Sequence, residues 1–286
     1  MEQSTYFIVL ILLVLSIFAL KDKYENFEES YKPNNKLRVG IACMMRKPRD
    51  IQDWLNYHQS LGISRFYIRL EDTDELVNTL SSLSNVFLEV GESTGRDEYK
   101  VQQYRQCTFV NKMLKKAEED NIDWLFHIDC DELISGDLNE LSKLDDSVRT
   151  VVLNNIEAVY EDIPRDNDNC FKAVEFKDCS DPNSGCVAYV NGKSGGRVAS
   201  DVSCYGPHRF KSNRNGAIEK TISLIIKHFE SCNFEIYKSK FKRMANKGGD
   251  VEIPFPYYNE SIEAAKEDND SLLENVFRKY RVKRND

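Results

Sequence analysis

The chain has 286 residues, of which 41% are hydrophobic and 11% aromatic, enough for one large globular domain. Lys and Arg total 39 against 47 Asp and Glu, which gives a formal net charge of −8. Proteins that bind nucleic acid in bulk usually carry net positive charge, so that class of function is excluded.

The chain begins with an apolar stretch. Residues 4–20, STYFIVLILLVLSIFAL, carry no charge, and about 17 such residues lie at the short end of a membrane span. No basic residue precedes the stretch, and Ile17 and Ala19 make a poor cleavage site. An uncleaved signal-anchor is therefore favoured over a cleaved signal peptide. The polar residues 21–36 predict a stalk.

The eight cysteines do not form a C-x-x-C motif, which argues against a zinc knuckle. Cys43 and Cys130 lie in apolar runs and are predicted to be small buried hydrophobes. The group from Cys170 to Cys204 lies in a loop-rich region and can pair in an oxidising compartment.

Apolar periodicity then predicts alternating strands and helices. Strands are predicted over 37–45, 65–70, 85–90 and 124–128, with helices from Asp50 to a C-cap at Gly62 and over 98–119. In the first helix His58 faces the apolar side, as a core residue. In the second, six side chains are predicted to face the core: Val101, Tyr104, Cys107, Phe109, Met113 and Leu114. The alternation predicts an α/β fold with a mostly parallel sheet flanked by helices, which binds ligands at the carboxyl ends of its strands.

Two aspartates follow the fourth strand, in WLFHIDCDEL. The chain has four D-x-D pairs, and most such pairs are solvated turns, but only Asp129 and Asp131 follow an apolar run. In an extended segment both side chains point to the same side, where they can bind one cation together. A haloacid-dehalogenase-type phosphatase needs threonine or valine where Leu133 stands, which weakens that alternative.

A glycine-rich segment, GKSGGR, contains Lys193 and Arg197. A loop of this composition can approach phosphates closely. It lacks the spacing of a Walker motif, so a P-loop ATPase is excluded.

Five ordered segments resemble a known family. They are DWLNYHQSLGISRFYI, VQQYRQCTFVNKMLKKAEEDNIDWLFHIDCDEL, GKSGGRV, GPHRF and KHFESCNFEIYKSKFKR. The set, over residues 40–243, resembles GT-A glycosyltransferases of family 92 and their relatives in family 2. The resemblance implies a Rossmann-like GT-A domain over 37–250, after a membrane segment over 1–20 and a stalk over 21–36. Residues 251–286 are assigned to a polar and basic C-terminal segment.

The same resemblance implies a metal-dependent, inverting hexosyltransferase. The donor would be a nucleotide sugar, with UDP-galactose or a related UDP-sugar favoured, and the acceptor a glycan or glycoprotein. A divalent ion, Mn²⁺ or Mg²⁺, would act as a Lewis acid on the leaving diphosphate. Asp131 would bind this metal, Asp129 the metal or the ribose, and His208 would be a third ligand or a diphosphate contact.

Further positions follow from the resemblance. Lys193 and Arg197 would approach the phosphates of the donor. His228, Lys238 and Lys240 would close over the donor, and the alternative for this group is an exposed basic helix face. Arg46 and Asp72 would lie near the nucleoside. A carboxylate base on the acceptor hydroxyl has three candidates: Glu157, Asp162 and Asp201.

The chain also departs from the family. Met45, Arg46 and Lys47 replace its K-N-E, and its F-G-S-x-G-H loop has no counterpart near residues 152–162. An inactive, membrane-tethered module that binds glycan or a protein partner is therefore an alternative, and phosphoryl or nucleotidyl transfer is a third.

Two arguments on membrane orientation disagree. The resemblance favours a single-pass protein whose domain faces the Golgi or ER lumen. Lys21 and Lys23 after the apolar stretch instead favour a cytosolic domain.

Overall fold

A nine-stranded sheet, counted over the residues that this computed structural model describes, lies at the centre of the fold. Those residues are 36–93, 99–165, 168–179, 186–246 and 255–283. The strands within these ranges are β1 (Val39–Arg46), β2 (Ile63–Glu71), β3 (Val86–Gly91), β4 (Trp124–His127), β5 (Glu132–Ser135), β6 (Val148–Val159), β7 (Glu175–Asp178), β8 (Lys193–Arg197), β9 (Val202–Gly206), β10 (Arg209–Ser212) and β11 (Ile218–His228).

The order in the sheet is β3-β2-β1-β4-β8-β6-β11-β5, with β7 paired to β6, while β9 and β10 form a separate hairpin. Strands β1 to β4 are parallel to one another. Strand β8 is antiparallel to both β4 and β6, so β6 and its parallel neighbour β11 run in the same direction as β4. The predicted mixed α/β fold with a mostly parallel central sheet is confirmed.

Helices flank this sheet. They are α1 (Ile51–Leu61), α2 (Val77–Ser81), α3 (Tyr99–Glu119), α4 (Phe234–Asn246), α5 (Pro256–Lys266) and α6 (Asp270–Arg281), with 3₁₀ turns at Asp74–Leu76 and Leu138–Lys143. Helix α1 ends as predicted at Gly62, whose φ of 110° suits a residue without a Cβ. His58 is fully buried; its Nε2 accepts from the N–H of Ile134 at 3.1 Å, so Nδ1 donates to the carbonyl of Trp54.

Two side chains of α3 are not in the core as predicted. Phe109, Met113 and Leu114 are buried, but Val101 and Tyr104 are exposed, Tyr104 by 73%. The prediction for these two residues is wrong because the buried apolar side chains of α3, from Phe109 to Ala117, lie in its later turns, where they pack with residues of β1, β4 and β9. A helix that extends past its sheet leaves its first turns in solvent.

The glycine-rich segment is a strand and not a loop. Residues 193–197 form β8, buried between β4 and β6. A Cβ on Gly195 would overlap the ring of Phe126, and one on Gly196 would lie 2.7 Å from Phe210. The glycines therefore allow close packing inside the sheet, and the prediction of a phosphate-approaching loop is wrong.

The C-terminal helices belong to the same compact unit as the sheet, which spans Leu37–Asp286. The ring of Tyr237 in α4 packs against those of Tyr257 in α5 and Phe277 in α6, with centroid distances of 5.8 and 5.2 Å. A domain boundary after residue 250 therefore does not separate two units of the structure.

Two disulfides lie among the described residues. One joins Cys170, after β6, to Cys232, after β11, and the other joins Cys179 to Cys186 after β7. Cys204, which was predicted to belong to the pairing group, is a free thiol, as are Cys43 and Cys130. Cys43 is fully buried, as predicted, whereas Cys130 is only partly buried.

The predicted localisation as a single-pass membrane protein is corrected. Across the described ranges, no helix has the length and apolar character needed to cross a bilayer. The segment on which the prediction depended, residues 1–20, and all of the predicted stalk except Lys36 lie outside the described residues.

Candidate metal centre

A tight turn follows β4 and separates the two aspartates of the D-x-D pair. The N–H of Glu132 donates to the carbonyl oxygen of Asp129 at 3.2 Å, so the backbone is folded back over these residues. Asp129 and Asp131 therefore contact different partners. The extended geometry in which both carboxylates face one cation does not form.

Asp129 is bound by a buried lysine. Lys193 is fully buried, and its Nζ lies 2.5 Å from Oδ2 of Asp129, while Gln106 donates to Oδ1 at 3.2 Å. Burial alone would raise the pKa of Asp129, but the charge of Lys193 lowers it far below its usual value. Burial would likewise lower the pKa of Lys193, which Asp129 and Glu132 raise instead. Both carboxylate oxygens of Asp129 are thus engaged by the protein.

The buried side chain of Glu132 stabilises the turn between Asp129 and Glu132. It is fully buried; Oε2 accepts the N–H of Asp129 at 2.8 Å, and Oε1 accepts the hydroxyl of Tyr189. Burial raises the pKa of Glu132 to about 7, even though Lys193 lies 3.4 Å away and opposes the shift. This carboxylate has a structural role beneath the site.

Asp131 instead faces the end of β11. Its Oδ2 lies 3.7 Å from Nε2 of His228, and its backbone carbonyl accepts from the N–H of Phe229 at 2.8 Å. Glu230 lies on the other side, with Oε2 3.9 Å from the same Nε2. One ligand atom from each of these three residues lies within 4.8 Å of the other two. Two carboxylates and an imidazole therefore converge where β4 and β11 end.

His228 is oriented by a buried carboxylate. Its Nδ1 lies 3.0 Å from Oε1 of Glu157, whose Oε2 accepts from Nη1 of Arg281 at 2.8 Å. With Nδ1 donating to Glu157, Nε2 points toward Asp131 and Glu230. Burial would lower the pKa of His228, but Glu157 and Asp131 raise it well above its usual value. A carboxylate behind the imidazole is the usual support of a histidine that binds a metal.

Glu230 is held by Lys240, whose Nζ lies 2.7 Å from Oε1 and 3.0 Å from the hydroxyl of Tyr258. Burial would raise the pKa of Glu230, but Lys240 and His228 lower it to about 2. Its second oxygen, Oε2, is the one that faces His228. Lys238 and Lys240 therefore have different surroundings. Lys240 binds the buried Glu230, whereas Lys238 pairs on the surface with Glu235 and Asp270.

The residues fit a divalent metal. Two ligand atoms of one ion lie no more than about 4 Å apart when each metal–ligand bond is about 2 Å long, and both Nε2–carboxylate distances are below that limit. Asp131 is 32% exposed, whereas His228 and Glu230 are buried. A substrate could therefore approach from the side of Asp131. The imidazole suits Mn²⁺ better than Mg²⁺, which prefers an all-oxygen environment.

A second group of potential ligands does not fit. Glu157, Cys179 and Cys186 also lie within 4.8 Å of one another. The two cysteines are joined as a disulfide, and a metal needs the thiolate form.

His208 lies near Lys193 and Asp129. Its Nδ1 is 2.8 Å from the carbonyl oxygen of Gly192 and donates to it. Burial, helped by Lys193, lowers the pKa of His208 to about 3, so the ring is neutral at physiological pH. Tyr189 contacts both His208 and His228, with centroid distances of 4.7 and 4.9 Å. His208 is not in the group formed by Asp131, His228 and Glu230.

Lys193 and Arg197 lie at opposite ends of β8. Arg197 pairs in register with Trp124, at the amino end of β4, and its guanidinium lies 4.7 Å from the Trp124 ring. It donates to the carbonyls of Val148 and Leu144, each at 3.1 Å. A five-residue strand separates its end residues by about 13 Å, so Arg197 does not share a phosphate site with Lys193.

Arg46 and Asp72 meet at the carboxyl ends of β1 and β2. Arg46 Nε lies 3.2 Å from Oδ2 of Asp72, which also accepts the hydroxyl of Ser93, and both residues are partly exposed. The N–H of Ser93 donates to Oδ1 at 3.0 Å. Hydrogen bonds from Ser93, with the charge of Arg46, lower the pKa of Asp72. This pair lies at the edge of the sheet predicted for the nucleoside.

The three candidate bases are all in ion pairs. Glu157 is buried between His228 and Arg281, as described above. Asp162 lies on the surface with Oδ1 2.7 Å from Nη1 of Arg278. Asp201 accepts from Nε of Arg149 at 3.1 Å, with Arg149 Nη2 and the Ser212 hydroxyl each at 2.5 Å.

Two residues of the centre were not predicted. Glu230 follows His228 by two positions after β11, the same spacing as Asp129 and Asp131 after β4, and this repeated pattern was the available signal. Arg281, about 50 residues further along the chain in α6, has no local sequence signal for its contact with Glu157.

Comparisons with known proteins add no family assignment. No family model matches the sequence, and no curated protein matches it. Among solved structures, HddC from Yersinia pseudotuberculosis has a TM-score of 0.37 and 9% identity, over 71% of this chain and 97% of that chain. The same protein complexed with GMP-PN has a TM-score of 0.35 and 9% identity, over 73% and 100%. Similarity this weak supports no conclusion about function.

Proposed function

We propose that this protein is a metal-dependent glycosyltransferase of the GT-A type, which transfers a hexose from a nucleotide sugar to a glycan or protein acceptor with inversion. The proposal is carried by one observation, the convergence of Asp131, His228 and Glu230 at the carboxyl ends of β4 and β11. Ligands bind at this edge in open α/β sheets. The ordered motifs that resemble family 92 support the same function.

Asp131, His228 and Glu230 would hold Mn²⁺, which supplies Lewis-acid stabilisation of the leaving diphosphate. The surrounding charges are compatible with an anionic substrate. A divalent ion with Lys193, Lys240 and Arg281 would carry five positive charges once His228 is neutral, and these would balance the five carboxylates Asp129, Asp131, Glu132, Glu157 and Glu230 before an anionic diphosphate binds. Arg46 and Asp72 would contact the nucleoside, and a UDP-sugar is favoured as the donor.

Transfer requires that the acceptor oxygen bond to the anomeric carbon while the bond to the diphosphate breaks and a general base takes the proton of the acceptor hydroxyl. The Lys193–Asp129 pair would fix the turn that presents Asp131 to the diphosphate. Because Lys193 is buried and already bound to Asp129, its role here is positional.

The test is release of nucleoside diphosphate by the full-length protein. UDP-galactose, UDP-glucose, UDP-N-acetylglucosamine and GDP-mannose would each be incubated with Mn²⁺, with and without glycan acceptors. We expect UDP release that EDTA abolishes and that Asp131→Ala eliminates, while Asp270→Ala, which removes a surface aspartate paired with Lys238, serves as the matched control. Pyrophosphate or phosphate release from a nucleoside triphosphate would favour nucleotidyl or phosphoryl transfer instead.

A binding module without activity is the second candidate. It is favoured by the engagement of Glu157, Asp162 and Asp201 in ion pairs, since none of these carboxylates is free to act as the base. Mn²⁺-dependent binding of UDP-sugars with no UDP release in the presence of any acceptor would support this function over transfer.

A further inference from the structure

Arg281, the last residue of α6, is fully buried beneath the candidate metal centre. Its Nη1 donates to Oε2 of Glu157 at 2.8 Å. The backbone is held there as well, because the N–H of Tyr160 donates to the carbonyl of Arg281 at 2.9 Å and the N–H of Lys283 to the carbonyl of Tyr160 at 2.8 Å. Backbone hydrogen bonds thus join the end of α6 to the residue that follows β6, close to Glu157.

The contacts form a line of three side chains. Arg281 binds one oxygen of Glu157, and the other oxygen lies 3.0 Å from Nδ1 of His228. Glu157 and His228 are also direct neighbours in the register of β6 and β11. Rotation of the Glu157 carboxylate would withdraw its support from His228, and Arg281 opposes that rotation.

Stability does not account for this arrangement well. A buried ion pair often stabilises a fold no better than apolar residues of the same size, because both charges lose hydration. Nε and Nη2 of Arg281 have no hydrogen-bond partner among the described residues. The guanidinium lies 5.9 Å from the centroid of the Tyr160 ring, and its hydrogen bond from Nη1 is directed at the carboxylate that orients His228.

We propose that Arg281 is a positioning residue of the metal centre, acting through Glu157 on His228, so that helix α6 is required for metal affinity. The inference rests on the proposed metal site. It adds a contribution from the C-terminal segment, which the sequence placed outside the catalytic domain. Loss of such an outer contact lowers metal affinity by about 10- to 100-fold in other metal centres.

The experiment measures Mn²⁺ binding to the full-length protein, without donor, by calorimetry and by EPR at one fixed pH. Arg281→Met removes the guanidinium, Arg281→Lys keeps a shorter cation, and Glu157→Gln removes the charge between Arg281 and His228. The control is Arg278→Met, one turn earlier in α6, where the arginine pairs on the surface with Asp162 and Glu274. Pulsed EPR adds the nitrogen modulation that an imidazole ligand gives to bound Mn²⁺.

We expect about 10- to 100-fold weaker binding for Arg281→Met, with reduced nitrogen modulation, partial recovery in Arg281→Lys and wild-type binding in Arg278→Met. Wild-type affinity in folded Arg281→Met overturns the inference alone. If that variant does not fold, Arg281→Lys decides: weakened binding with reduced nitrogen modulation supports the inference, and wild-type binding overturns it. Absence of Mn²⁺ binding by the wild-type protein would overturn the proposed metal site together with the inference.

Discussion

His228 and Glu157 face each other across two parallel strands, with Nδ1 of the imidazole 3.0 Å from Oε1 of the carboxylate. The strand register, rather than a flexible loop, sets this contact. A shift of one residue would turn His228 to the other face of the sheet. The position of Nε2 beside Asp131 is therefore fixed by the fold itself.

Asp131→Ala should weaken Mn²⁺ binding by more than about 100-fold, a larger loss than removal of an outer contact causes. The fold should persist because Asp131 is one-third exposed and lies outside the apolar core. Calorimetric titration with Mn²⁺, beside a thermal melt of the same variant, measures both effects. Tight binding by Asp131→Ala would show that the metal lies elsewhere.

His208→Ala should leave Mn²⁺ affinity within about threefold of wild type and lower stability by about 1 kcal/mol, through loss of its hydrogen bond to Gly192. His228→Ala should show the opposite pattern, with Mn²⁺ binding lost. The two variants are compared by the same titration. A stronger loss of Mn²⁺ binding in His208→Ala than in His228→Ala would restore the ligand set that the sequence predicted.

His208, and not His228, was predicted from the sequence as a ligand beside Asp131, whereas in the structure His228 lies beside Asp131. GPHRF and KHFESC both place a histidine after a strand, and local sequence does not tell which strand end lies beside Asp131. The antiparallel pairing of β11 with β5, which sets His228 opposite Glu132, decides that question. The two strands lie far apart in the chain, so local patterns do not encode this contact.

Asp201→Asn should preserve activity and lower stability by about 1 kcal/mol at neutral pH, since the carboxylate is partly exposed and solvent screens its pairing with Arg149. Hydrogen bonds from Arg149, with help from Ser212, lower the pKa of Asp201 to about 2. The stabilisation is therefore fully present above the unfolded pKa of about 3.9 and lost as pH falls through the folded value.

The check is urea denaturation of wild type and Asp201→Asn from pH 7 to pH 2. The difference in unfolding free energy should be constant down to about pH 5 and shrink toward zero near pH 2. A difference that grows as the pH falls would contradict the ion-pair assignment, and loss of transfer activity at neutral pH would return Asp201 to the list of bases.

Replacing Cys170 and Cys232 by serine should destabilise the protein by about 2–4 kcal/mol, because that disulfide closes a loop of 62 residues. Replacing Cys179 and Cys186, only 7 residues apart, should cost less. Cys232 is two residues from Glu230, so the first double variant should also weaken Mn²⁺ binding. Denaturation under non-reducing conditions compares the two; equal losses would refute the loop-closure argument.

The fold was more predictable than the site. Apolar runs identified β1 to β4 and helices α1 and α3, because burial requires those patterns. The GKSGGR segment was misinterpreted because glycine serves both phosphate loops and close strand packing, and only the ring of Phe126 against Gly195 distinguishes the two. Arg281 was missed for a similar reason, since a surface arginine and a buried one look the same in an amphipathic helix.

The most direct test of the metal centre is a crystal grown with Mn²⁺ and UDP, with diffraction data collected at the manganese absorption edge. We predict a single anomalous peak within about 2.5 Å of Asp131, His228 Nε2 and Glu230, with the diphosphate on the side of Asp131. A peak between Asp129 and His208, or diphosphate bound with no anomalous peak near His228, would contradict the account.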